Sequence, residues 1–149
     1  MAPKLRFHGQ ETQFARPEAH PRLNEEPQTT RPVPVKHGEQ LGDQRVFTDE
    51  LRALDNSGQP TGPVVGEHSG HCTLVRKGPG SERIYQCFAT FRLAGGLITA
   101  RTLFDLSGVP AGGLKSAITG GTDKYDKARG EVTSTFPADK ITIFEIDLD

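Results

Sequence analysis

Two consecutive hairpins between His71 and Phe104 constrain this chain more than any other feature. Residues 84–93 alternate, with Tyr85, Cys87, Ala89, Phe91 and Leu93 on one face. That is the period of a strand with one buried side. Ala94-Gly95-Gly96 then reads as a tight hairpin of the primed-turn kind, and residues 97–104 return. Upstream, Lys77-Gly78-Pro79-Gly80-Ser81 turns the chain, and its proline excludes a continuing ladder. A hairpin centred between Pro79 and Gly80 sets Cys72, in a strand over 71–76, opposite Cys87. Directly opposed residues of an antiparallel pair share one face. The cysteines are therefore neighbours, whether as buried thiols, as a cross-strand disulfide, or with Cys72 as a catalytic thiol. If Cys72 points inward, parity carries Leu74, Tyr85, Cys87, Ala89 and Phe91 inward too. The second hairpin adds Ile98, Ala100, Thr102 and Phe104.

Further strands read over 46–54, 115–119, 131–136 and 141–148, and one more over 4–14 with Leu5, Phe7 and Phe14. Ser116 to Val132 reads as strand, glycine turn at Gly120-Gly121, a one-turn excursion, and strand again from Gly130. Tyr125 and Ala128, three apart, are spaced to pin that turn onto a core. No segment after Arg45 carries a long amphipathic helix. Short strands with glycine-rich turns predict an all-β barrel or sandwich. The 149 residues suit one domain, and a 34% hydrophobic content supports a modest core. Within it, residues 1–14 hold the first strand and 45–149 the β body. Residues 15–44 hold Pro17, Pro21, Pro27, Pro32 and Pro34 without apolar period, which reads as an extended arm, tether or lid.

A net charge of −1 offers no field to draw nucleic acid. No window reaches the length of an apolar membrane span. The N-terminus lacks an apolar leader core, which favours a cytoplasmic chain and leaves a secreted mature form open. The five histidines and two cysteines show no metal-ligand spacing. His68 and His71 flank Gly70 and read as exposed polar residues. Nucleophile-elbow, phosphate-loop and His-Glu-x-x-His motifs are absent. Asp49 stands among Val46, Phe47 and Leu51. It is either a strand-end carboxylate in water or a carboxylate facing a barrel interior, where it needs partners and becomes a functional candidate.

Several segments together resemble the allene oxide cyclase/dirigent superfamily. Phe47-Thr48-Asp49-Glu50-Leu51 resembles the Phe-Thr-Asn-x-Leu that opens the plant cyclase barrel. Gly66-Glu67-His68-Ser69-Gly70-His71-Cys72 resembles its Gly-x-Thr-Ala-Gly-x-Cys. Ala117-Ile118-Thr119-Gly120-Gly121-Thr122 matches its Ala-Ile-Thr-Gly-Gly, and the run through Tyr125 and Ala128-Arg129-Gly130 is closer to the dirigent form. The resemblance implies an eight-stranded antiparallel β-barrel that binds a flexible apolar small molecule along its axis and steers ring closure or coupling. It also implies no metal or organic cofactor, and a homo-oligomer, dimer or trimer. It carries Cys72 onto a pocket cysteine and Asp49 onto a pocket asparagine, and it leaves Glu11 or His8 as counterparts of a first-strand glutamate. Tyr85 is placed to donate to a substrate carbonyl. Phe47, Leu74, Cys87, Ala89, Phe91, Ile98, Ala100, Thr102 and Phe104 are expected to line the pocket. The alternative is a non-catalytic, dirigent-like scaffold.

Overall fold

The protein is described here by a computed structural model covering residues 4–16 and 39–149. Eight antiparallel strands close into a barrel: β1 (Lys4–Ala15), β2 (Gln44–Leu54), β3 (Pro60–Lys77), β4 (Arg83–Leu93), β5 (Gly96–Asp105), β6 (Leu114–Gly121), β7 (Gly130–Ala138) and β8 (Ile141–Leu148). Each strand pairs with its sequence neighbour, and β8 pairs with β1 from Lys4↔Asp147 to Gln10↔Ile141. Closure leaves no unpaired edge. Most of the proline-rich arm, including its five prolines, lies outside the described residues.

The expected registers hold in the two hairpins. Cys72 opposes Cys87, and β4 turns into β5 with Leu93 opposite Gly96. The late segment follows its reading except at Gly120-Gly121, which do not turn the chain but stay in β6 opposite Thr99 and Ile98, next to an irregularity in the ladder. A 3-10 turn at Asp123–Tyr125 separates β6 from β7, and Tyr125 and Ala128 pack onto the core. Gly130 holds φ +136, and a Cβ there would collide with the carbonyl oxygen of Asp147, so glycine is required at this entry into β7.

The third strand is the largest departure from expectation. It begins at Pro60 rather than near His71. Pro60, Pro63, Gly66 and Gly70, residues that ordinarily weaken a strand, all lie in the added stretch. In the barrel, Gly66 lets the Arg92 carbonyl oxygen approach to 2.5 Å of where a Cβ would sit, and Gly70 does the same for Phe88. Glycine inside a strand marks such a close backbone approach.

The interior holds two apolar clusters. One surrounds Leu51, Phe91, Ile98, Ile118, Val132, Phe144 and Ile146. The other, at the end where β2 begins and β3 ends, joins Cys72, Leu74, Tyr85 and Cys87 with Phe47 and Phe104. Between them lie the buried polar residues Asp49, His68 and Ser134.

Candidate functional site

The buried polar layer is the part of the interior that packing does not explain. Asp49 lies in the middle of β2, 6% exposed, and opposes His68 of β3, 8% exposed. Their side chains meet, with Nδ1 of His68 at 2.7 Å from Oδ2 of Asp49. A carboxylate only accepts, so Nδ1–H donates. In the neutral ring this leaves the lone pair on Nε2. Asp49 is therefore an interior carboxylate with a partner, not a strand-end carboxylate in water.

Three phenyl rings box the imidazole. Phe47 stacks on it at 5.5 Å between centroids, while Phe91 and Phe144 tilt against it at 4.7 and 4.5 Å. The register explains why they converge. Glu11 pairs with Asp49, Asp49 with His68, His68 with Phe91, and Phe91 with Ile98. One row around the wall thus carries two carboxylates and an imidazole. Glu11 is half-buried, and its backbone N–H donates to the Lys140 carbonyl at 2.9 Å.

His68 is a correction to the sequence reading, which made it an exposed polar residue; His71 is exposed as expected. The signal available was parity: His68 and Cys72 are four apart on one strand, so an inward Cys72 requires an inward His68. The expected strand began only at 71, and that hid the relation. His8 is the second correction. Phe7 and Gly9 of β1 face the interior, opposite Phe144 and Leu51, so His8 lies on the alternate face and does not join the row.

Cys72 is the third. Its sulfur is bonded to that of Cys87, leaving no free thiol among the two. With both sulfurs in the bond, Cys72 has no thiolate to serve as nucleophile.

The pocket residues named from parity all sit on the interior face. Leu74, Cys87, Phe91, Ile98 and Ala100 are buried; Phe47, Ala89, Thr102 and Phe104 are half-buried. They form a packed interior rather than an open tube. The interior cavity beside His68 measures about 30 Å³ and is lined also by Ala89, Ala100, Thr102, Ser116 and Ser134, room for about one water. Eight-stranded barrels fill their interiors with side chains, and Tyr85, Phe91 and Phe144 do so here. A larger groove of about 300 Å³ runs past Phe14, Val46, Phe47 and Gly70. Phe47 belongs to both places, lining this groove and stacking on His68.

At the end of the barrel where β2 begins, Tyr85 is 1% exposed and its hydroxyl donates to Glu39 Oε2. Arg45 donates to Glu39 Oε1 at 2.7 Å and lies over the Tyr85 ring at 5.2 Å. Burial and the bond to Glu39 push the Tyr85 phenol above its ordinary pKa. Burial pulls the Arg45 pKa down, but Tyr85 and Glu39 together raise it.

No known protein-family model matches the sequence, and no curated protein does. Solved structures do. A pyocyanin demethylase aligns over 99% of this chain and all of its own, at 25% identity and TM-score 0.70. AbnU, an exo-specific intermolecular Diels–Alderase, aligns over 99% of this chain and 96% of its own, at 18% identity and TM-score 0.67. The chain has the allene oxide cyclase/dirigent-like fold. A pterocarpan synthase dirigent protein extends the likeness at 16% identity and TM-score 0.59, over 99% of this chain and 83% of its own. Among the described residues no helix is long and apolar enough to cross a membrane.

Proposed function

We propose that this barrel catalyses an isomerisation or ring closure of an apolar small molecule, with His68 moving the proton and Asp49 orienting it. The observation that carries the reading is the 2.7 Å bond between two side chains buried together inside an aromatic box. Burying such a pair contributes little to stability compared with apolar side chains of similar volume. Buried ionisable pairs held at such a cost concentrate at functional sites.

The chemistry follows from the tautomer. Asp49 accepts from Nδ1–H, and the Nε2 lone pair takes a proton from the substrate. Asp49 then carries the countercharge to the imidazolium. The same nitrogen returns the proton to the rearranged product, so the step is balanced without a net change in the enzyme. A positioned acid–base group of this kind contributes typically 10²–10⁴-fold. The phenyl rings of Phe47, Phe91 and Phe144 keep water away, which strengthens the electrostatics at the ring. Orientation by the walls adds to the rate where reacting atoms are held near contact. The groove beside Phe47 is the seat from which a substrate reaches the dyad when that ring turns aside. Two of the similar structures are named for enzymes acting on small molecules, which supports the reading.

The scaffold alternative draws support from one observation, the small size of the pocket beside His68, about 30 Å³. In that reading the ligand stays in the groove and is only oriented. The homo-oligomer belongs to the proposal as well, supported by exposed Val75, Phe88 and Leu103 on neighbouring strands. The Cys72–Cys87 bond supports an oxidising compartment and thus the secreted form.

The test incubates wild type and His68→Gln with a small-molecule extract in D₂O and profiles it by mass spectrometry. The expected result is a compound converted by wild type, with the moved hydrogen retained rather than exchanged for deuterium, and converted at least about 100-fold more slowly by the variant. Equal conversion by both refutes acid–base catalysis by His68. Binding without conversion establishes the scaffold.

A further inference from the structure

The Arg45–Tyr85 pair at the other polar point of the interior has features that packing does not require. Arg45 shares a face with Cys72, its register partner in β3, which is 6% exposed. Its side chain is 17% exposed. Its Nε is buried and has no partner among the described residues. A guanidinium is the side chain best shaped to hold a carboxylate by two parallel donors. Tyr85 supplies a second kind of donor, fixed in the wall by burial.

Both donors converge on a single carboxylate. Arg45 reaches Oε1 of Glu39 and Tyr85 reaches Oε2. Glu39, however, belongs to no strand of the barrel. It precedes β2, and its side chain is 31% exposed. The donors are therefore built into the wall, while the acceptor is a side chain set on it from outside the sheet. The neighbouring backbone is tied down separately, by Gly42 N–H to the Leu74 carbonyl at 2.9 Å and by Gln40 N–H to Asp43 Oδ2 at 2.8 Å. Glu39 can leave the pair without breaking those bonds.

We propose that Arg45 and Tyr85 form a carboxylate-binding site, and that Glu39 occupies it in place of the carboxylate end of an apolar ligand. The surroundings fit such a ligand. Phe47 of the packed apolar cluster around Tyr85 also lines the groove of about 300 Å³ past Phe14 and Val46, which gives the apolar part of such a ligand its room. An acid enters by exchange: Glu39 swings to solvent as a hydrated carboxylate, and the incoming carboxylate takes its two donors. Net charge at the site is unchanged. The arrangement also discriminates against neutral ligands, because an alcohol or amide that displaced Glu39 would leave Arg45 without an anion. The site stands whether or not His68 turns a substrate over.

The experiment uses 4-phenylbutanoate and its uncharged counterpart 4-phenylbutan-1-ol, titrated calorimetrically into the full chain. Three proteins are compared: wild type, Glu39→Gln, and Glu39→Gln combined with Arg45→Met. Removing the internal competitor is expected to tighten 4-phenylbutanoate by about tenfold or more, as for a charge-assisted hydrogen bond. Arg45→Met is expected to abolish that gain, and the alcohol to bind no better to any variant than to wild type. Tyr85→Phe in the Glu39→Gln background keeps the ring and removes the hydroxyl. It is expected to lose part of the gain, and it answers the question if the Arg45 variant does not fold. The proposal is overturned if Glu39→Gln does not tighten the acid, if the alcohol gains equally, or if the gain survives loss of both donors.

Discussion

Replacing Asp49 and His68 together by Leu and Phe should make the protein at least as stable as wild type while removing the groups proposed to move a proton. The two single changes behave differently. His68→Phe leaves the Asp49 carboxylate buried without its partner, and breaking a buried pair in this way costs about 3–5 kcal/mol. Asp49→Leu leaves the Nδ1–H of His68 unsatisfied at a position 8% exposed, which costs about 1–3 kcal/mol. The double variant strands neither group. The new phenyl ring meets Phe47, Phe91 and Phe144, already at 4.5–5.5 Å from the imidazole, and the adjoining cavity of about 30 Å³ takes up its extra volume. Exchange of a buried charged group and its hydrogen-bonding partner for packed apolar groups is often neutral or stabilising by about 1–4 kcal/mol. The cycle should therefore be non-additive by about 4 kcal/mol or more. Urea denaturation of the four proteins at neutral pH measures this directly. Strictly additive losses, or a double variant less stable than either single one, would refute the claim that the pair is retained at a cost to stability.

Other outcomes follow from the same geometry. Reducing the Cys72–Cys87 bond, or changing both residues to Ala, removes a cross-link of sequence separation 15 and should lower unfolding stability by about 3 kcal/mol in a denaturant titration. Gly70→Ala drives a Cβ into the Phe88 carbonyl and the Ala89 side chain and should cost about 1–3 kcal/mol; a neutral result would mean the β3–β4 backbone is not so close. The Tyr85 phenol has its pKa raised in the folded chain, first by burial and then by Glu39. Its contribution is complete below the ordinary phenol value and is lost as pH rises through the higher folded value. Stability should thus decline in strong alkali by less in Tyr85→Phe than in wild type, as read from unfolding midpoints across that range.

Local periodicity made much of the barrel legible. Alternation over 84–93, the Ala94-Gly95-Gly96 turn and the pairing of Cys72 with Cys87 depend on nearest neighbours in sequence, and the structure keeps all three. The first half of β3 was not legible, because Gly66 and Gly70 look like breakers until the strand that crowds them is known. The dyad was half legible for the same reason. Asp49 stood out as a charge among apolar residues, whereas His68 lay ahead of the strand expected from His71 and read as an exposed polar residue. The hollow axis was an expectation of the family resemblance, and side-chain size decides it instead. Phe91, Phe144 and Tyr85 fill space that smaller residues would leave open. The Glu39 contact was invisible, since nothing in the spacing of 39, 45 and 85 joins a residue outside the sheet to two in its wall.

The most direct test is a long-range ¹H–¹⁵N correlation spectrum of the histidine side chains, with His68 assigned by comparison with His68→Gln. It should show a proton on Nδ1 of His68, held against Asp49, and Asp49→Asn should disturb that one ring. A proton found on Nε2 with Nδ1 bare, or a His68 signal indifferent to Asp49→Asn, would contradict the proposal that this buried pair is built to move a proton.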